Sequence, residues 1–198
     1  MHCSACGHAN PDANLFCGQC GARLASSAAN DSWRPLGERR QVTILFADLA
    51  GFTRLTRTLD AEDVHRILNL FFDVSDAAVR DHGGHIDKHI GDNVMALFGA
   101  PIAHTDDPTR AVRAALKIHG AVEGIITGDG EPLAAHIGIA SGEVVASTTG
   151  SANHREYTVV GEAVNLASRL ESAAHPGQTL VSDTVAREIR AFANLEDA

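Results

Sequence analysis

Three kinds of residue in this 198-residue chain could do chemistry: paired thiols, carboxylates beside glycine, and a few isolated cations and amides. The thiols come first. All four cysteines lie near the N-terminus, as Cys3-x2-Cys6 and Cys17-x2-Cys20. Two close thiolate pairs suit a tetrahedral zinc ion, because each short loop can put two sulfurs along one edge of the metal. Gly7 and Gly21 follow the second cysteine of each pair, where freedom to take positive φ lets the backbone wrap and aim N–H groups at sulfur. Two disulfides in a secreted fragment, or a redox Cys-x2-Cys, would use the same residues. The opening Met-His-Cys-Ser-Ala-Cys has neither a charged nor an apolar leader region, and no βαβ pattern surrounds the pairs.

The carboxylates follow. In Phe46-Ala47-Asp48-Leu49-Ala50-Gly51-Phe52-Thr53, Asp48 leaves the end of an apolar run and Gly51 opens a helix. Amides of Gly51, Phe52 and Thr53 there could hold phosphates, and Asp48 the metal that neutralises them. An ordinary turn or cap would read the same. Asp92 sits in Ile90-Gly91-Asp92-Asn93, a hairpin tip by composition, and Gly-Asp is also a common turn dipeptide. If that hairpin lies beside the first strand, the two carboxylates converge within reach of paired divalent ions. Such pairs stand about 3.5–4 Å apart and serve in-line displacement at phosphorus. A third segment, Val164-Asn165-Leu166-Ala167-Ser168-Arg169, puts Asn165 and Arg169 on one helix face, with Ala163, Leu166 and Leu170 turned toward the core. A solvated face would have much the same pattern.

These groups need elements to position them. Gln41–Ala47 reads as a buried central strand and Ala61–Arg80 as a helix, with Val64, Ile67, Leu68, Phe71, Val74 and Ala78 at helical spacing. Gly83-Gly84 stops that helix. His85–His89 and Val94–Phe98 then flank the turn, and Asp107-Pro108 reads as an N-cap and first helical residue of a helix to about Val122. Leu133–Ala140 and Val144–Ser147 read as a strand pair turned by Ser141-Gly142-Glu143. Glu156–Val160 is a strand, Glu162–Ser172 a helix, Gln178–Val181 a strand, and Ser182 caps a last helix. The βαββαβ order predicts an α+β, ferredoxin-like sheet with helices on one face.

Composition bounds the whole. At 44% apolar and 21% charged the chain is globular, long enough for one domain plus a small module. A formal charge of −9 argues against broad attraction to nucleic acid or anionic membrane. No apolar run reaches the length of about 18 residues that spans a bilayer. A soluble, cytoplasmic protein is the expectation. The expected organisation is a cysteine module over 1–24, an Ala/Ser-rich linker over 25–37 carrying Trp33 as a docking or local anchor, and a larger α+β domain over 38–198.

The cysteine segment resembles a short zinc ribbon of the rubredoxin-knuckle type, holding one structural Zn²⁺ on Cys3, Cys6, Cys17 and Cys20. Asp12 and Arg23 cancel in charge, so a structural or protein-docking role is expected rather than DNA reading. From residue 38 to about 195 the chain resembles the catalytic domain of class III nucleotidyl cyclases. The resemblance rests on Val42-Thr43-Ile44-Leu45-Phe46-Ala47-Asp48-Leu49-Ala50-Gly51-Phe52-Thr53, Lys88-His89-Ile90-Gly91-Asp92 and Val164-Asn165-Leu166-Ala167-Ser168-Arg169. It implies two Mg²⁺ or Mn²⁺ ions on Asp48, Asp92 and the Leu49 carbonyl, and a triphosphate cradled by the amides of Gly51–Thr53. It also implies that Asn165 orients the ribose and that Arg169 stabilises charge on the α-phosphoryl group.

The same resemblance puts Lys88 and Thr158 at the base. Adenine offers an acceptor at N1 and a donor at N6, and guanine the reverse pattern at N1 and O6. Lys88 only donates and Thr158 can accept, so the pair complements adenine. Family members that use guanine carry an acidic residue at the lysine position. ATP conversion to 3′,5′-cyclic AMP is therefore expected, with a guanylate cyclase or an inactive nucleotide-binding dimerisation module as alternatives. A diguanylate cyclase is disfavoured, because Ile90-Gly91-Asp92-Asn93 replaces its Gly-Gly-Asp/Glu-Glu-Phe hairpin. The resemblance further implies a homodimer, Asp48 and Asp92 from one subunit meeting Lys88, Thr158, Asn165 and Arg169 of the other. Two further strands with a triphosphate-binding lysine, usual in the family, find no match before Ala198, so the expectation is either a fragment or a shortened member with weakened activity.

Overall fold

The computed structural model describes residues 2–3, 5–10, 17–21, 37–127, 130–151 and 154–196. They fall into two compact units, Met1–Leu36 and Gly37–Ala198. The expected linker up to residue 36, with Trp33, and the charges Asp12 and Arg23 lie outside the described residues.

The second unit is built on β1 (Glu38–Leu49), whose two faces are both covered. Val42, Ile44 and Phe46 enter one apolar cluster and Leu45, Ala47 and Leu49 the other, which is why the strand reads as a mostly apolar run. A short α1 (Phe52–Thr58) and a long α2 (Ala61–Asp81) follow. Then come the hairpin β2 (His85–Ile90) and β3 (Asn93–Phe98), α3 (Asp107–Glu123), β4 (Ala135–Ser151), β5 (His154–Val160), α4 (Glu162–Ala173), β6 (Thr179–Val181) and α5 (Asp183–Ile189). The sheet order is β2-β3-β1-β4-β5, antiparallel throughout, with β6 parallel to β4. This is the expected α+β, ferredoxin-like arrangement.

The helices divide between the two faces. Residues of α2, α3 and α5 (Ile67, Phe71, Ile118, Val185) share the cluster of Leu45, Ala47 and Leu49, as expected for one covered face. Helix α4 instead joins the opposite cluster through Ala163 and Ala167. Small residues permit this. A Cβ on Gly138 would lie 2.2 Å from both the Ala167 carbonyl oxygen and the Glu171 nitrogen, and one on Gly142 would lie 3.0 Å from Ala163 Cβ.

That packing explains a misreading. Ser141-Gly142-Glu143 is no turn: β4 runs straight through it, paired without interruption to β1 from Leu49↔Ala135 to Glu38↔Ala146. Gly142 is there for α4, and Ser141 Oγ bonds Thr43 Oγ1 across the ladder at 2.7 Å. Two smaller expectations also change. The N-cap of α3 is Asp106, whose Oδ1 accepts from Arg110 Nε at 2.6 Å, while Asp107 is the first helical residue and its Oδ2 accepts the His104 amide at 2.9 Å. Leu166 does not turn inward: it is 40% exposed, and Ala167 takes the core position. Ser182 caps α5 as expected, accepting the Val185 amide.

Replacing Gly138 by alanine tests the close approach. The added methyl must displace helix backbone, so Gly138→Ala should lower stability by about 1–3 kcal/mol, read as a lower denaturant midpoint; an unchanged midpoint would contradict the packing.

Candidate functional site

In the N-terminal unit the four cysteine sulfurs lie within 4.8 Å of one another, with Cys3–Cys20 and Cys6–Cys17 at 3.6 Å. A tetrahedron of sulfurs about 2.3 Å from one metal has edges of about 3.8 Å, so the cage has the right size for a single ion. None of the four is in a disulfide. Both knuckles are built alike: Gly7 (φ 74°) and Gly21 (φ 70°) donate their amides to the Cys3 and Cys17 carbonyls, and the Ala5 and Gln19 amides point at the Cys3 and Cys17 sulfurs. Amide hydrogen bonds hold the Cys17 thiol down at about 6. Cys6 is relieved by an amide bond from the His8 position but is pushed up to about 12 overall by the neighbouring sulfurs and burial. A cluster that cannot shed all its protons unaided is what a cation would complete. Asn10 escaped the sequence reading. It is buried, donates to the Cys17 sulfur (3.5 Å) and the His8 carbonyl (2.9 Å), and accepts the Gly18 amide (2.9 Å), so it ties one knuckle to the other.

In the second unit, register decides the site. Asp48 is the Cα partner of Asn93 on β3 and of His136 on β4. Asp92, next to Asn93, is thereby brought to the C-terminal end of β1, as the hairpin argument required. The half-buried Asp48 carboxyl is raised to about 6, by burial first and then by the charges of Asp92 and Glu171, against smaller opposing effects of His136 and the Leu49 amide. Glu171, on the buried side of α4, is itself raised by burial. Sequence reasoning missed both Glu171 and His136. His136 Nδ1 stands 3.0 Å from the Ala174 carbonyl, which can only accept, so Nδ1 carries the proton. Asp48, Asp92 and Glu171 together make an acidic cluster whose carboxylate oxygens suit a hard divalent cation.

Beside it, Gly51 (φ 73°) is the N-cap of α1, with no side chain closing that end. The first bonds back to Gly51 come from Arg54 and Leu55, so the amides of Phe52 and Thr53 stay outside the helical ladder. The Phe52 ring packs against the core.

Lys88 and Thr158 come together from opposite ends of the strand order. Thr158 Oγ1 donates to Asp87 Oδ2 at 3.0 Å, and Lys88 Nζ lies 3.4 Å from the same oxygen. The outer strands β2 and β5 thus meet at Asp87. Asn165 and Arg169 are exposed on α4, one turn apart, next to the exposed Leu166. They face solvent rather than the carboxylates of their own chain's core.

The α+β sheet thus sets Asp48 and the β2–β3 tip side by side at the C-terminal end of β1. Residues 36–196 match the family described as the adenylate and guanylate cyclase catalytic domain, and the chain belongs to that family. Among solved structures it is similar to the guanylyl cyclase Cya2 (40% identity, TM-score 0.73, 77% of this chain and 79% of that one). It is also similar to the adenylyl cyclase CyaB from P. aeruginosa (32%, TM-score 0.71, 78% and 83%). An uncharacterised protein of Mycobacterium tuberculosis is 35% identical over 178 residues, covering 88% of this chain and 30% of the relative. The chain thus spans under a third of the length of that curated relative. Among the described residues no helix is long and apolar enough to cross a membrane.

The electrostatics give a signed prediction. Because the folded Asp48 carboxyl titrates near 6 rather than 3.8, its ionisation opposes folding; that penalty is complete above pH 6 and gone below 3.8. In metal-free buffer Asp48→Asn should therefore stabilise the protein at pH 7.5 by about 1 kcal/mol, allowing for solvent screening at a half-exposed group. The gain should vanish at about pH 3.5, below both titrations. Denaturant titration of the two proteins checks it, and equal stability at both pH values would contradict it.

Proposed function

We propose that this chain is an adenylate cyclase, converting ATP to 3′,5′-cyclic AMP and pyrophosphate at a homodimer interface. The observation that carries the reading is the convergence of Asp48 and Asp92 at the end of β1. The two carboxylates and the Leu49 carbonyl would hold two Mg²⁺ or Mn²⁺ ions. When bound, these supply Lewis acidity toward the ribose 3′-hydroxyl and neutralise charge on the departing pyrophosphate.

The chain's own groups do the rest. The 3′-hydroxyl gives up its proton to solvent and its oxygen bonds the α-phosphorus as the bond to the bridging β-phosphate oxygen breaks, that bond's electron pair leaving with pyrophosphate. Amides of Gly51, Phe52 and Thr53 would hold the triphosphate in line. Asn165 and Arg169 of the second subunit would orient the ribose and meet charge developing on the α-phosphoryl oxygens. Their exposure on α4, away from their own carboxylates, supports a role across the interface. Lys88 and Thr158 would read adenine. In the N-terminal unit, Cys3, Cys6, Cys17 and Cys20 would hold one structural Zn²⁺ in a ribbon that docks a protein partner.

A guanylate cyclase is the second reading. It is favoured by the 40% identity to Cya2, which is a guanylyl cyclase.

Turnover of ATP and GTP, each with Mg²⁺ or Mn²⁺ and across protein concentration, tests the proposal. Cyclic AMP should form with specific activity rising as protein is concentrated, and Asp48→Ala or Asp92→Ala should reduce it at least about a hundredfold. The same preparation should carry zinc at one per chain, lost in Cys17→Ser. Product from GTP alone, or activity that rises on dilution, would contradict the assignment.

A further inference from the structure

Lys88 and Thr158 are half of an arrangement whose other half is Asp87. In the regular alternation of β2, Asp87 would be one more polar strand residue. The register of β2 against β3 slips between Ile86 and Lys88, and the bulge places Asp87 outside the ladder. Its side chain is 0% exposed. Oδ2 takes both the Thr158 hydroxyl proton (3.0 Å) and the Lys88 ammonium (3.4 Å), while Oδ1 has no partner among the described residues. A buried carboxylate so sparsely satisfied depends on those two donors.

We propose that Asp87 is a specificity-positioning residue: its buried carboxylate captures the Thr158 proton and so fixes that hydroxyl as an acceptor toward the nucleobase. This rests on the adenine reading of the Lys88–Thr158 pair and deepens it. A threonine hydroxyl has one proton and two lone pairs. With the proton committed to Asp87, only lone pairs remain to face a base, and they match the amino group of adenine and oppose the carbonyl of guanine. Lys88, tethered to the same oxygen, has only protons to offer, and these match adenine N1 and oppose the N1–H of guanine. Left alone, Thr158 could turn its proton outward and accept either base. Asp87 makes that rotation costly, because it would strip a buried carboxylate of its strongest hydrogen bond. Discrimination then comes from unpaired groups facing the wrong base.

Asp87→Asn keeps the shape but offers an N–H₂ that can donate to Thr158 Oγ1 and turn the hydroxyl proton toward the base. The ratio of kcat/KM for ATP to that for GTP should fall about tenfold, mainly through a higher KM for ATP. Thr158→Val should lower the ratio comparably, Thr158→Ser should retain it, and Asp87→Asn with Thr158→Val should lower it no further than either alone. An equal loss with both nucleotides, leaving the ratio unchanged in Asp87→Asn, would overturn the assignment. Should Asp87→Asn fail to fold, an unchanged ratio in Thr158→Val would overturn it equally. The two readings fail separately. A wild-type chain that prefers GTP removes the adenine reading, whereas a wild-type preference for ATP that survives Asp87→Asn removes only the role of Asp87.

Discussion

Electrostatic repulsion at the end of β1 is the constraint on which the rest of this fold turns. The ladder pairs Asp48 with Asn93, so the hairpin tip cannot lie elsewhere without breaking six consecutive register partners, Thr43↔Phe98 to Asp48↔Asn93. That pairing forces Asp92 toward Asp48, and α4 adds Glu171 from above. Like charges gathered in a half-buried place are costly, and such a cluster marks a candidate site for a cation or a reaction. The stability of the sheet and the chemistry of the site are therefore opposed. The apolar faces of β1 hold in place a carboxyl whose ionisation costs stability.

The second determinant is how closely α4 approaches the sheet. Gly138 and Gly142 on β4 and Ala163 and Ala167 on α4 leave almost no space between the layers. The same contact fixes the axial rotation of α4. With Ala163, Ala167 and Glu171 inward, Asn165 and Arg169 must point outward. A helix bearing bulkier inward residues would stand off the sheet and change both the reach of Arg169 and the burial of Glu171. Packing and site geometry are one problem here, solved with small residues.

Much of this was legible in the sequence, for identifiable reasons. The run Val42–Ala47 and the helical spacing from Ile67 to Ala78 carry strong periodic signals, and the Asp92 tip follows from a turn dipeptide between two strands. Ser141-Gly142-Glu143 misled because glycine serves two purposes, turns and close contacts, and only the tertiary partner Ala163 tells them apart. Leu166 misled because hydrophobicity alone assigned it inward, whereas the smaller Ala167 was needed where the layers meet. Asn10, Asp87, Glu171 and His136 carry no local signal. Each is an ordinary polar residue until the fold sets it against a sulfur, a hydroxyl or another charge from far along the chain.

The claim that a complete site needs Asp92 from one copy and Arg169 from another is tested most directly by mixing two defective proteins. Asp92→Ala and Arg169→Ala chains should each be nearly inactive alone. Mixed and allowed to exchange subunits, they should recover about one quarter of wild-type activity, since half the dimers are mixed and each of these has one intact site of two. No recovery, in a mixture shown to contain mixed dimers, would mean that each chain's site is its own and would contradict the shared cleft.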